Sequence, residues 1–121
     1  MLKFLFLAFC FLVVFLVQPA PLYAIRPSPI HGVGVFSTRA IKPNETIELA
    51  IRMRSDTFQI TPYFGSLLNH AKEDNIELRK MTDGNYYAVA RAFIPADTEI
   101  TINYDGPTIP AFIDGSKPDF I

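Results

Sequence analysis

Residues 46–53 read Thr-Ile-Glu-Leu-Ala-Ile-Arg-Met. Ile47, Leu49, Ile51 and Met53 fall on one side of an extended chain, and Thr46, Glu48, Ala50 and Arg52 on the other. A period of two argues for a half-buried strand and against a helix, because successive side chains of a strand point to opposite faces. The alternation returns at Ile76–Arg79, and a second strand follows at Tyr86–Phe93. It returns again at Thr98–Tyr104, where Ile100, Ile102 and Tyr104 share a face. Turn formers separate these runs at Lys42-Pro43-Asn44-Glu45, Thr82-Asp83-Gly84-Asn85, Pro95-Ala96-Asp97 and Asp105-Gly106-Pro107. Val33–Phe36 is a short apolar patch, and Pro27 and Pro29 keep the chain before it extended. Residues 55–61 look irregular, Tyr63–Leu68 has room for one or two helical turns, and Asn69–Asn75 is polar and loop-like. The pattern predicts a mostly β domain of short strands with little helix.

The first 24 residues differ in kind. Lys3 is followed by an unbroken apolar run from Phe4 to Val17, then by Gln18-Pro19-Ala20-Pro21 and small residues at Ala20 and Ala24. This is the layout of a secretory signal peptide. The run of 14 residues is short of the ~20 that span a bilayer, but Gln18 alone interrupts it strongly before Arg26, so the segment reads as a signal peptide or a signal anchor. Lys3 favours a cytoplasmic N-terminus, whereas Arg26, Arg39 and Lys42 pull the other way. The sequon Asn44-Glu45-Thr46 fits the outer side. The expected organisation is a leader at 1–24, a domain at 25–106 and a tail at 107–121. The expected location is the secretory pathway, either secreted or held at a membrane through residues 1–24.

Composition excludes several functions. The chain carries 11 basic and 12 acidic residues, net −1, with no basic stripe, which argues against direct nucleic-acid binding. The single cysteine, Cys10, lies in the leader, so the domain has no disulfide framework and no thiolate metal site. His31 and His70 are too far apart in sequence to form a recognisable zinc motif.

Three segments, in order, carry a resemblance. The first is His31-Gly32-Val33-Gly34-Val35-Phe36, leading through a turn into Glu45-Thr46-Ile47. The second is Asn69-His70-Ala71-Lys72-Glu73-Asp74-Asn75, an N-H-x-x-x-x-N element. The third is Ala90-Arg91-Ala92-Phe93-Ile94-Pro95-Ala96-Asp97-Thr98-Glu99-Ile100 and on to Tyr104. Together they resemble the SET domain, the β-clip-like fold of most protein-lysine methyltransferases, over nearly all of residues 25–106. Asn44 and Asp97 stand where the family has turn glycines, and both residue types tolerate left-handed backbone. Ala71 replaces a serine, and the cysteine-rich zinc segments that flank many members are absent. The central insert, roughly residues 54–62, is very short.

The resemblance implies methyl transfer from S-adenosylmethionine to a lysine of a protein or peptide. It implies cofactor contacts at Gly32, Val33, Gly34, Asn69 and His70, with the two glycines letting backbone approach the cofactor. It implies Tyr104 as the catalytic residue. Tyr63, Tyr86, Tyr87 and Phe112 are candidates for the lysine channel, although a core position accounts for each as well. A second reading is a SET-like binding module without cofactor, secreted or membrane-anchored. A domain this small could also dimerise to complete its groove.

Overall fold

The computed structural model describes residues 21–113. Most of the apolar leader, residues 1–20, and residues 114–121 lie outside the described residues. Eight strands run in chain order: β1 Tyr23–Pro27, β2 Val33–Ser37, β3 Thr46–Met53, β4 Phe58–Ile60, β5 Asn69–His70, β6 Ile76–Lys80, β7 Tyr86–Ala90 and β8 Glu99–Ile102. A single 3₁₀ turn, Gly65–Leu67, is the helical content of the described residues. The mostly β class expected from the alternation is the class observed.

The strands form two four-stranded sheets, ordered β1-β2-β8-β5 and β4-β3-β7-β6. The second contains the β6–β7 hairpin, with Ile76 opposite Ala90 and Lys80 opposite Tyr86. Its turn closes through Gly84 at φ +88° and through Met81 N–H donating to the Asn85 carbonyl at 2.9 Å. Asn44 and Asp97 do adopt left-handed backbone, at φ 67° and 58°. These short polar side chains therefore do the work of the turn glycines they replace.

A single core joins the two sheets. Val35, Ile100 and Ile102 from the first meet Ile51, Ile76, Ala88 and Ala90 from the second, all at 0% exposure, with Phe64 and Leu68 in the same cluster. Ala50 departs from the expected outward face and is buried at 2% exposure. The β3–β7 register shifts between Leu49 and Ile51, and such a bulge breaks strict alternation. The Thr61 hydroxyl donates to the Leu49 carbonyl at 2.8 Å and accepts from Gly65 N–H at 2.8 Å. A Cβ at Gly65 would stand 2.3 Å from the Ala50 carbonyl oxygen, so the 3₁₀ turn sits directly on β3.

Other departures concern boundaries. Residues 58–60, read as irregular, pair with β3, Ile60 opposite Ile51 and Phe58 opposite Met53. Asn69–His70, read as loop, lies parallel to β8. The first strand starts inside the segment assigned to the leader: Tyr23 pairs with Ser37 and Ala24 with Phe36. The Tyr23 ring packs edge-on against Phe64 at 4.9 Å. The segment expected as a tail is anchored up to residue 113. Ile113 is buried, and the Phe112 ring lies 4.8 Å from Phe58 and 5.8 Å from Tyr86.

Candidate functional site

The site is built where residues 68–75 run beside the last strand. β5 pairs in parallel with β8, Asn69 opposite Thr101 and His70 opposite Ile102. Asn75 locks this arrangement. Its amide donates to the Glu99 carbonyl at 2.9 Å, its amide oxygen accepts from Thr101 N–H at 3.0 Å, and its backbone N–H reaches the Thr101 carbonyl at 3.3 Å. Asp74 adds a further tie by accepting from Asn103 N–H at 2.9 Å and from Arg91. Both ends of the N-H-x-x-x-x-N element therefore grip the same strand.

Tyr104 lies two residues past β8, in a turn. The His70 Nδ1 accepts from Tyr104 N–H at 3.0 Å, and the two rings are 5.0 Å apart. With Nδ1 accepting, the neutral imidazole carries its proton on Nε2. The Tyr104 hydroxyl donates to the Leu68 carbonyl at 2.8 Å. Leu68 caps the 3₁₀ turn, so the Thr61–Gly65 contact on β3 fixes the acceptor that orients the phenol. Burial raises the Tyr104 hydroxyl above its ordinary pKa, because removal from water disfavours the phenolate.

The third wall is the β1–β2 loop. Ile30, His31, Asn69, His70 and Tyr104 line a cavity of about 230 Å³. The expected site residues Asn69, His70 and Tyr104 thus meet at one place, whereas Gly32, Val33 and Gly34 follow Ile30 and His31 in the chain without lining the cavity. Gly32 takes φ +45°, a left-handed value that favours glycine, and a Cβ there would meet nothing within 4 Å.

Gly34 and Asn69 both have protein partners. A Cβ on Gly34 would come within 2.2 Å of a Glu99 carboxylate oxygen and 3.0 Å of the Asn69 amide nitrogen. The missing side chain at position 34 leaves room for those protein groups. The Asn69 amide nitrogen has acceptors at His31 O (3.1 Å), Val33 O (3.0 Å) and Glu99 Oε2 (2.8 Å). Its two protons are engaged within the protein.

None of the four candidate channel aromatics lines this cavity. Tyr86 and Phe112 belong to the aromatic cluster with Phe58. Tyr63 is 46% exposed, and the Tyr87 hydroxyl donates to Asp83 at 2.6 Å. That hydrogen bond raises the Tyr87 hydroxyl and lowers the Asp83 carboxyl from their ordinary pKa values. Beside Phe58 lies a second cavity of about 380 Å³, lined by Thr57, Phe58, Ile60, Pro62 and Ser66.

Sequence reasoning missed Glu99, Ser28 and the Leu68 carbonyl. Glu99 carried one signal, as an acidic residue immediately before a buried β-run. Ser28 and Leu68 act through partners 71 and 36 positions away, which no local pattern encodes.

The cavity fits part of a nucleoside cofactor. Three rings and Ile30 offer stacking and apolar contact. Its volume is below the ~300–1,000 Å³ of pockets that engulf a drug-sized ligand, so a larger ligand would extend beyond these walls.

No protein-family model matches the sequence, and no curated protein is significantly similar to it. Among solved structures the chain is similar to a Plasmodium falciparum protein described as a "putative histone methyltransferase". The TM-score is 0.57 and the identity 27%, covering 75% of this chain and 98% of that one.

Proposed function

From the premise that this chain is a SET-domain protein, we propose that it transfers a methyl group from S-adenosylmethionine to a lysine side chain of a protein. The observation that carries the reading is the convergence of Ile30, His31, Asn69, His70 and Tyr104 on one cavity. The similarity to a "putative histone methyltransferase" supports the same reaction class.

When bound, the cofactor supplies an already activated methyl group on a sulfonium, so neither a metal nor a covalent nucleophile is required. The chain's own residues provide position. The β1–β2 loop and β5 would hold one side, through Ile30, His31, Asn69 and His70. Tyr104 is held at its amide by His70 and at its hydroxyl by Leu68. A hydroxyl that donates to a carbonyl keeps electron density on its oxygen, where it can stabilise positive charge at a methyl or amine. Burial raises the Tyr104 hydroxyl above its ordinary pKa, which favours the neutral phenol. The lysine must arrive neutral, and burial beside a sulfonium lowers its pKa in that direction. Residues 1–24 are proposed to direct the domain into the secretory pathway or hold it at a membrane.

The second reading, a SET-fold binding module without cofactor, is favoured by the engagement of the Asn69 amide within the protein. Calorimetric titration of the full chain with S-adenosylmethionine separates the two. Saturable binding is expected, and heat indistinguishable from dilution would leave the binding module.

A further inference from the structure

Glu99 sits at the centre of a polar knot that no part of the methyl-transfer reading requires. Its carboxylate accepts from the Ser28 hydroxyl at 2.8 and 2.9 Å and from the Asn69 amide at 2.8 Å. Each of these donors also holds the β1–β2 loop. The Ser28 hydroxyl accepts from Ile30 N–H at 3.0 Å and His31 N–H at 3.4 Å. The Asn69 amide donates to the carbonyls of His31 and Val33. Ser28 N–H closes the loop onto the Gly32 carbonyl at 2.9 Å. One half-buried carboxylate therefore clamps the loop through its amides on one side and its carbonyls on the other. The clamp closes because position 34 has no side chain, a Cβ there lying 2.2 Å from the carboxylate.

We propose that Glu99 is the positioning residue that sets the Ile30–His31 wall of the cavity, acting through Ser28 and Asn69, and that Gly34 is glycine to admit it. Its effect on cofactor binding rests on the methyl-transfer reading, whereas its effect on the loop does not. Tyr104 has separate supports, His70 and Leu68, so loss of Glu99 acts on the loop wall and spares the phenol.

The test uses the full chain with Glu99→Ala, Glu99→Gln, Gly34→Ala and the double variant Gly34→Ala/Glu99→Ala. Amide hydrogen exchange at residues 30–33 is expected to quicken by about tenfold or more in Glu99→Ala. Exchange in β7 should change no more than the global stability does. Glu99→Gln, whose amide oxygen in the Oε2 place can still accept from the Ser28 hydroxyl and the Asn69 amide, should restore part of the protection. Gly34→Ala should lower the thermal midpoint by about 5 °C or more when Glu99 is present and by under about 2 °C in the Glu99→Ala background. Where the wild type turns over, Glu99→Ala should raise the cofactor KM about tenfold or more with kcat within about twofold. Unchanged exchange at 30–33, or an equal Gly34→Ala cost in both backgrounds, overturns the proposal. Absence of cofactor binding in the wild type would instead sink the methyl-transfer reading, and the exchange and melting experiments would still decide the role of Glu99.

Discussion

Tyr23 shows how one side chain can link the start of the domain to its core. Its ring meets Phe64 edge-on, and its hydroxyl donates to Glu48 Oε1 at 3.1 Å. Burial first, and the Glu48 charge second, push this phenol from 10.0 up to about 12. A pKa raised by folding stabilises the protonated form. The contribution is therefore complete below the unfolded pKa near 10 and is lost as the pH climbs through about 12. Thermal midpoints measured from pH 8 to pH 12 should fall more shallowly in Tyr23→Phe than in wild type above pH 10. Tyr87 and Tyr104, also raised, keep the slope from vanishing. Identical slopes in the two proteins would remove Tyr23 from the account. At this scale the sequence was informative where the backbone chemistry is local: Asn44 and Asp97 stand where the resembled family has turn glycines, and both residue types tolerate the left-handed backbone they adopt. The use of Gly34 was not readable, because the group it makes room for is 65 residues away at Glu99.

Among the elements, the legible strands are those whose alternation is long enough to set a face. Strands β3, β6 and β8 were visible as runs of apolar residues at period two, and β7 through the turn signal that precedes it. Strand β5 was not, because two residues cannot display a period. Asn69 and His70 become a strand only by lying against Thr101 and Ile102. Strand β4 was hidden similarly, its register set by Ile51 and Met53. Strand β1 was masked by its neighbour, since Tyr23 and Ala24 continue the composition of the leader. They nevertheless pair with Ser37 and Phe36, and Leu22 packs against the core. Processing after Ala24 would cut the strand, whereas processing after Ala20 would leave it whole. Residues 21–121 expressed alone should therefore melt cooperatively, and residues 25–121 should melt about 5 °C or more lower, the shift expected for roughly 1 kcal/mol in a domain of this size. Equal midpoints would mean that the Tyr23 end of the strand contributes nothing to the fold.

The whole molecule brings residues from distant parts of the chain to one cavity. The β1–β2 loop, β5 and the turn after β8 contribute Ile30 and His31, Asn69 and His70, and Tyr104. The resemblance named Asn69, His70 and Tyr104 among them. Asn69 and Gly34 serve the architecture of the wall, and His70 holds the Tyr104 backbone, because long-range hydrogen bonds assign roles that a motif only marks. The proposed activity is methyl transfer with Tyr104 at the centre of this arrangement. The most direct measurement is incorporation of a labelled methyl group from S-adenosylmethionine into a lysine-containing peptide pool, by wild type and Tyr104→Phe, normalised to folded protein. Removing only the hydroxyl keeps the ring packing, so the fold should survive. The account predicts transfer by wild type and a fall of about 10²-fold or more in Tyr104→Phe, with cofactor affinity nearly unchanged. Equal turnover in the two proteins, or none in wild type, would contradict it.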